Sequence, residues 1–92
     1  MTRPPNIVFI GKKPILTYVN ATLTLLSNEP VVTIKARGRS ITTAVDVSQM
    51  IVKRMNAVGY KISGVRIFSE RMESKDGKER NVSTIEVDVS KP

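Results

Sequence analysis

Apolar and polar positions along the chain switch between two periods, and the switches mark out six elements. Asn6 to Ile10 reads Asn-Ile-Val-Phe-Ile. It is short, β-rich and apolar on both faces, which predicts a buried central strand that Gly11 ends. Pro14 suits the first turn of a helix, where its missing N–H costs nothing. Leu16, Val19, Leu23 and Leu26 follow at helical spacing, Ile15 and Ala21 widen the stripe, and Asn28 and Pro30 stop it. Val31 to Arg37 then alternates: Val32, Ile34 and Ala36 face one way, Thr33, Lys35 and Arg37 the other.

Gly38 breaks this half-covered strand, and Ser40 is a candidate N-cap for a second helix. There Ile41, Ala44, Val45, Ser48, Ile51, Val52 and Met55 form one broad face, with Gly59 as the stop. Two long alternating runs remain. Lys61 to Met72 carries Val65 and Ile67 inward, with Arg66 and Phe68 opposite. Val82 to Val89 carries Ile85, Val87 and Val89 on one face and Thr84, Glu86 and Asp88 on the other. Asp76-Gly77 between them is a strong turn signal.

The order is βαβαββ. The predicted fold is α+β, an α/β two-layer sandwich with a mixed four-stranded sheet, two helices and a long C-terminal β-hairpin. The first crossover implies parallel strands, and the last pair is antiparallel. A strand of about 12 residues reaches about 40 Å, long for a domain whose radius of gyration should be about 12 Å. The hairpin tip over 70–81 is polar, so it is expected to project as an arm. The 92 residues form one domain, with 1–5 as a flexible tail because Pro4 and Pro5 join neither ladder nor helix interior.

Charge changes this picture more than composition does. The net charge is +7, and residues 1–45 hold Arg3, Lys12, Lys13, Lys35, Arg37 and Arg39 against Glu29 alone. Such asymmetry marks a basic face for polyanions. Gly11-Lys12-Lys13-Pro14 puts two lysines just before a helix, where they oppose the helix dipole unless an anion binds; free N–H groups and both ammoniums would then favour a phosphate. Lys35-Ala-Arg-Gly-Arg39 puts two arginine forks around Gly38, a place for close approach to phosphate. Lys75, Lys78 and Arg80, with Arg71, would let the hairpin enter a nucleic-acid groove, although Glu70, Glu73, Asp76 and Glu79 interleave.

The absences exclude function classes. With no cysteine and no histidine there are no disulfides, no thiolate chemistry, almost no zinc, copper or haem site and no imidazole triad. No metal or cofactor is expected. The eight carboxylates show no spacing that suggests a magnesium nuclease, and the chain is expected not to be an enzyme. Nothing approaches the ~20 apolar residues of a membrane span, and the N-terminus lacks a signal peptide's core, so a soluble intracellular protein is expected. Aromatics are few: Phe9, Tyr18, Tyr60 and Phe68. Phe9 and Tyr18 are assigned to the core, leaving no aromatic platform for single-stranded bases. Small size and the apolar Val47, Met50 and Phe68 point to self-association.

Four blocks carry a resemblance to a known family: Asn-Ile-Val-Phe-Ile-Gly-Lys-Lys-Pro (6–14), Ile-Lys-Ala-Arg-Gly-Arg (34–39), Ala-Val-Asp (44–46) and Val-Ser-Thr-Ile-Glu (82–86). In this order and spacing, over roughly residues 6–90, the chain resembles the Alba proteins, an archaeal family of chromatin and DNA- and RNA-binding proteins. The resemblance implies a fold similar to the C-terminal domain of translation initiation factor three, dimers with two arms, and binding to double-stranded DNA with little sequence preference, or to RNA. It implies a cytoplasmic, chromosome-associated (nucleoid) protein that coats and compacts DNA as a homodimer, with higher-order assembly or a paralogous heterodimer as variants. The family's nucleic-acid surface maps to Lys12, Lys13, Arg37, Arg39, Lys75, Lys78 and Arg80, beside Lys35 and Gly38 from the residue reading. Lys12 takes the place of a lysine whose acetylation weakens DNA binding, so an acetyltransferase and a deacetylase are implied partners; losing the charge removes a phosphate contact. Two departures stand out. Met55 occupies a position where a phenylalanine packs dimer against dimer, and Asn81 replaces an arginine before Val-Ser-Thr, with Arg80 one residue earlier.

Overall fold

The computed structural model describes residues 6–92, and the tail expected over 1–5 lies outside them. Six main elements follow in the expected order: β1 (Ile7–Phe9), α1 (Ile15–Leu26), β2 (Val31–Arg37), α2 (Ile41–Arg54), β3 (Lys61–Glu73) and β4 (Glu79–Ser90). Single 3₁₀ turns, Gly38–Ser40 and Asn56–Val58, flank α2. The sheet order is β1-β2-β4-β3. β1 and β2 are parallel, and β4 runs antiparallel to both β2 and β3.

Both helices cover one face of this sheet. Val8, Ile10, Val32, Ile34, Ala36, Ile85, Val87 and Val89 point into that layer and meet Tyr18, Val19 and Leu26 of α1 and Ala44, Val47 and Ile51 of α2. The period-2 residues of β2 and β4 thus meet the period-3.6 stripes of the helices, the usual solution for two amphipathic layers.

Several assignments shift. β1 is an edge strand, not a central one. Its two-sided apolar pattern arises because Val8 faces the helices while Phe9, 38% exposed, lies on the opposite face beneath the Lys35 side chain. Phe9 is therefore not a core residue. In α1, Leu16 is 50% exposed, and Tyr18 and Thr22 are buried instead. The Thr22 hydroxyl is satisfied by donating to the Tyr18 carbonyl at 2.7 Å, which lets a polar residue sit in an apolar stripe.

The α2 stripe is rotated toward Ala44, Val47, Ser48 and Ile51, leaving Val45 at 42% exposure. Both stripes have helical spacing and share Ala44, Ser48 and Ile51, so periodicity alone cannot separate them. Val47 is therefore core rather than a residue left for a partner, and Met50 packs against the core. Ser40 makes no side-chain cap, because the 3₁₀ turn before α2 already holds it in helical conformation.

β3 and β4 outrun the rest of the sheet. β2 ends at the pair Arg37↔Thr84, whereas the β3–β4 ladder continues from Ser69↔Ser83 to Glu73↔Glu79. Gly77 closes the turn at φ +80°, a backbone region that side-chain-bearing residues rarely adopt. The Ser74 hydroxyl donates to the Asp76 carboxylate, which also accepts the Lys78 N–H at 3.2 Å. The result is an elongated molecule, 48 × 29 × 22 Å.

Candidate nucleic-acid interface

Parallel pairing puts the C-terminal ends of β1 and β2 at one end of the sheet. The turns that follow them, Gly11–Pro14 and Gly38–Ser40, therefore leave from the same end. The β3–β4 arm departs there too, since Arg37 aligns with Thr84 and Thr84 with Phe68. Three segments that are distant in sequence converge through topology alone. In open α/β sheets, the carboxyl ends of parallel strands are the usual ligand-binding edge.

Lys12 and Lys13 are both exposed in the first turn. The turn is held from below: the Gly11 and Lys13 N–H groups donate to the Tyr18 hydroxyl at 2.8 and 2.9 Å. Those two amides are thus not free for an anion, while the side chains of Lys12 and Lys13 stay exposed. Tyr18 is a positioning residue that the sequence reading placed in the core for its ring alone. Its hydroxyl sits one helical turn inside α1, within reach of the loop that precedes the helix. Tyr18→Phe should lower stability by about 1–3 kcal/mol, since two amides lose their acceptor, and should speed hydrogen exchange at Gly11 and Lys13. Unchanged exchange at both amides would show that the hydroxyl does not hold the turn.

Gly38 adopts φ +56° with open space where a Cβ would lie, so the requirement for glycine is one of backbone conformation. Arg39 beyond it is exposed. Lys35 and Arg37 differ. Lys35 Nζ lies 3.5 Å from Glu70 and 3.4 Å from Glu86, with its side chain 17% exposed. Arg37 donates to Glu70 at 3.2 Å. Both cations therefore enter an ion-pair network across the uncovered sheet face, and Lys12, Lys13 and Arg39 are left as the exposed charge of the two turns. Nothing local in the sequence announces this, because Glu70 is brought in from 33 residues away. On the arm, Lys75, Lys78 and Arg80 are exposed, and Arg71 pairs with Glu79 at 3.5 Å.

The network continues along β4. Arg66 donates to Glu86 at 2.9 Å and to both oxygens of Asp88 at 2.8 Å, and Asp88 accepts the Thr33 hydroxyl at 2.7 Å. The Arg66 hydrogen bonds hold the Asp88 and Glu86 carboxyls below the usual carboxylate range, against partial burial. At Glu70, burial works against the charge, but Arg37 and Lys35 prevail and its carboxyl is also lowered.

Carboxyls lowered in the folded state stabilise it fully above their unfolded pKa, about 4. That stability is lost as the pH falls through the folded values. The melting temperature should therefore be flat from about pH 7 to 5 and decline only below about pH 4. Asp88→Asn should shrink the acid decline. An equally steep decline in that variant would remove Asp88 from the account.

Apolar surface also remains. Val65 is 56% and Ile67 78% exposed. They align with the buried Val87 and Ile85, so they lie on the helix side of the sheet. They face inward as expected but are not covered, because α2 does not reach across β3. Ile67, Ile41 and Ile85 line a shallow concavity there. Phe68 is on the other face, 40% exposed. Among the described residues no cluster of acidic side chains could hold a metal ion, and no helix is long and apolar enough to cross a membrane.

A family model described as Alba matches residues 6–69. The chain belongs to the Alba family. It is 51% identical over 90 residues to the DNA/RNA-binding protein Alba of Nitrosopumilus maritimus (strain SCM1), covering 98% of this chain and 95% of that protein. It is 40% identical over 84 residues to the DNA/RNA-binding protein Alba of Methanococcus maripaludis, covering 89% and 93%. Among solved structures, Alba from Thermoplasma volcanium superposes with a TM-score of 0.84 at 37% identity, covering 94% of this chain and all of that one. The α+β architecture read from the pattern is thus that of an Alba structure. The Alba relatives are named for nucleic-acid binding and not for catalysis.

The two departures from the expected Alba pattern can be located. Met55 caps α2 and is half-buried, its N–H bonded to the Ile51 carbonyl at 2.9 Å. Asn81 aligns with Arg71 and Arg80 with Met72. Neighbouring residues on a strand point to opposite faces, so an arginine at 80 serves the face of the arm opposite to the one Asn81 serves.

Proposed function

We propose that this chain is a sequence-nonspecific nucleic-acid-binding protein that coats and compacts double-stranded DNA as a homodimer, through phosphate contacts. The observation that carries this reading is the convergence of the Lys12-Lys13 turn, the Gly38-Arg39 corner and the basic arm at one end of the sheet. Charges placed on turns and an arm meet phosphates without reaching a defined row of base edges, which favours positioning over sequence readout. Within the proposed site, Lys12, Lys13 and Arg39, with Lys75, Lys78 and Arg80 on the arm, make the contacts. Lys35, Arg37 and Gly38 shape the corner that carries Arg39.

The uncovered Val65 and Ile67 support the homodimer, which would put two basic ends and two arms on one duplex. Pairing with a paralogue or higher-order assembly would use the same surface or Met55. Acetylation of the exposed Lys12 would lower affinity by removing a cation from each protomer. Binding of this kind would place the protein on the chromosome.

RNA is the second reading, favoured because the relatives are named for both polymers. The test is a titration of duplex DNA and of structured RNA across salt, with the two polymers in competition at fixed salt. A nearly flat salt response for both would overturn the proposal.

A further inference from the structure

We infer that the uncovered face of the sheet is a second nucleic-acid site, on which bases of a single strand stack against Phe68 and Phe9. The inference builds on the proposed function, because it needs a polymer held at the neighbouring turns.

Four aromatic residues in the whole chain argue against a stacking platform. The fold offsets that scarcity by placing two of them on one face. Phe9 sits on β1 and Phe68 on β3, at opposite edges of the sheet. Between them, Lys35 Nζ lies 5.9 Å from each ring centroid. Twice 5.9 Å bounds the separation of the ring centres at about 12 Å. Phe68 is 40% and Phe9 38% exposed, on a face that no helix covers.

The ion pairs define what kind of face this is. Lys35 is anchored by Glu70 and Glu86, which leaves its ammonium as the spacer between the rings rather than as a phosphate ligand. Arg37 is engaged with Glu70, and Arg66 with Glu86 and Asp88. Here three cations and three carboxylates balance, so this stretch of the face is close to neutral and has little net charge with which to capture a duplex backbone. What it offers is apolar and aromatic. Bases present such a partner only when they are unpaired and splayed.

The position supplies the phosphate contacts that the face lacks. Phe68 shares its row with Thr84 and Arg37, the last β2 residue before Gly38-Arg39. Phe9 lies two residues before Gly11 and the lysine pair. A single strand whose backbone follows Arg39, Lys12 and Lys13 would therefore have its bases directed onto the rings. Electrostatic tracking of the backbone combined with stacking on aromatic side chains is the general mode of single-strand binding.

The experiment uses Phe68→Leu, which keeps an apolar side chain but removes the ring, and Phe68→Trp, which keeps a ring and adds the chain's first tryptophan. Labelled oligo(dT) and oligo(U) are titrated beside a duplex of the same length at one salt concentration. F68L should weaken single-strand binding about 5- to 150-fold, the loss of one stacked base, and leave duplex affinity within about twofold. F68W should retain single-strand binding, and its fluorescence should be quenched by single strands and not by duplex. Equal single-strand affinity of F68L and wild type overturns the inference, as does an equal loss for both polymers. A change of sedimentation mass in F68L also overturns it, because a second copy would then occupy the face. Wild type that binds duplex but no single strand defeats this inference and leaves the proposed function standing; the reverse result defeats the duplex reading alone.

Discussion

Affinity for duplex DNA should fall by about 10³–10⁵ between 50 and 200 mM salt, the behaviour of a protein that neutralises about 6–10 phosphates. That number of contacts is what the proposed site would make in a dimer. Each protomer presents Lys12, Lys13 and Arg39 at one end of the sheet, with Lys75, Lys78 and Arg80 on the arm. A dimer doubles the set, and not every cation on an arm reaches a phosphate. Each contact contributes about −0.9 to the slope of log affinity against log salt. Replacing Lys12, Lys13 or Arg39 by alanine removes two contacts per dimer, so the slope should become shallower by about 2. The loss should be the same on every sequence, because phosphate contacts carry no base information. Lys12→Gln should match Lys12→Ala, while Lys12→Arg should retain the slope. Lys53 is the control. It is exposed in the last turn of α2, at the opposite end of the sheet from the two turns, and its alanine variant should keep the wild-type slope. Loss confined to one sequence would instead point to base readout.

The second large effect concerns Ile67. In the proposed homodimer a residue near a two-fold axis counts twice. Burying an isoleucine side chain is worth about 1.5–3 kcal/mol, so Ile67→Glu should weaken dimerisation by roughly 3–6 kcal/mol, about two to four orders of magnitude. The same change should leave the fold of one chain nearly untouched, within about 0.5 kcal/mol, since Ile67 is 78% exposed there. Sedimentation equilibrium reads the mass, and a salt titration of the monomer should give about half the wild-type slope. A variant that keeps the wild-type mass would move the interface elsewhere. Wild type that is monomeric at micromolar concentration would remove the homodimer itself.

These two experiments probe features of unequal legibility. The arm could be read directly, because Asp76-Gly77 between two alternating runs leaves little choice of turn. The two basic turns could be read as well, since Gly11 and Gly38 each end a β pattern beside cations. Their convergence follows from one further inference, that β1 and β2 are parallel. The fates of Lys35 and Arg37 could not be read. Their partner Glu70 reaches them only because β4 pairs with β2 and carries β3 on its far side. Phe9 was illegible for a similar reason. An apolar residue on both-sided β1 fits a central strand as well as an edge strand, and only the place of β4 in the sheet decides between them. Val65 and Ile67 show a third case: alternation put them on the right face, but coverage depends on how far α2 extends sideways, which no periodicity records.

The course of β4 has a mechanical consequence. This strand runs without interruption from the arm into the middle of the sheet, bonded on one side along the arm and on both sides from Thr84 onward. A pull on the arm by a polymer being dragged away reaches the body as shear along the β2–β4 ladder, where many rungs bear the load together. The outer rungs of the arm have a single neighbour and can open and re-form one at a time. Such a molecule would yield first at its tip, and a polymer held there as proposed would be let go while the fold stays intact.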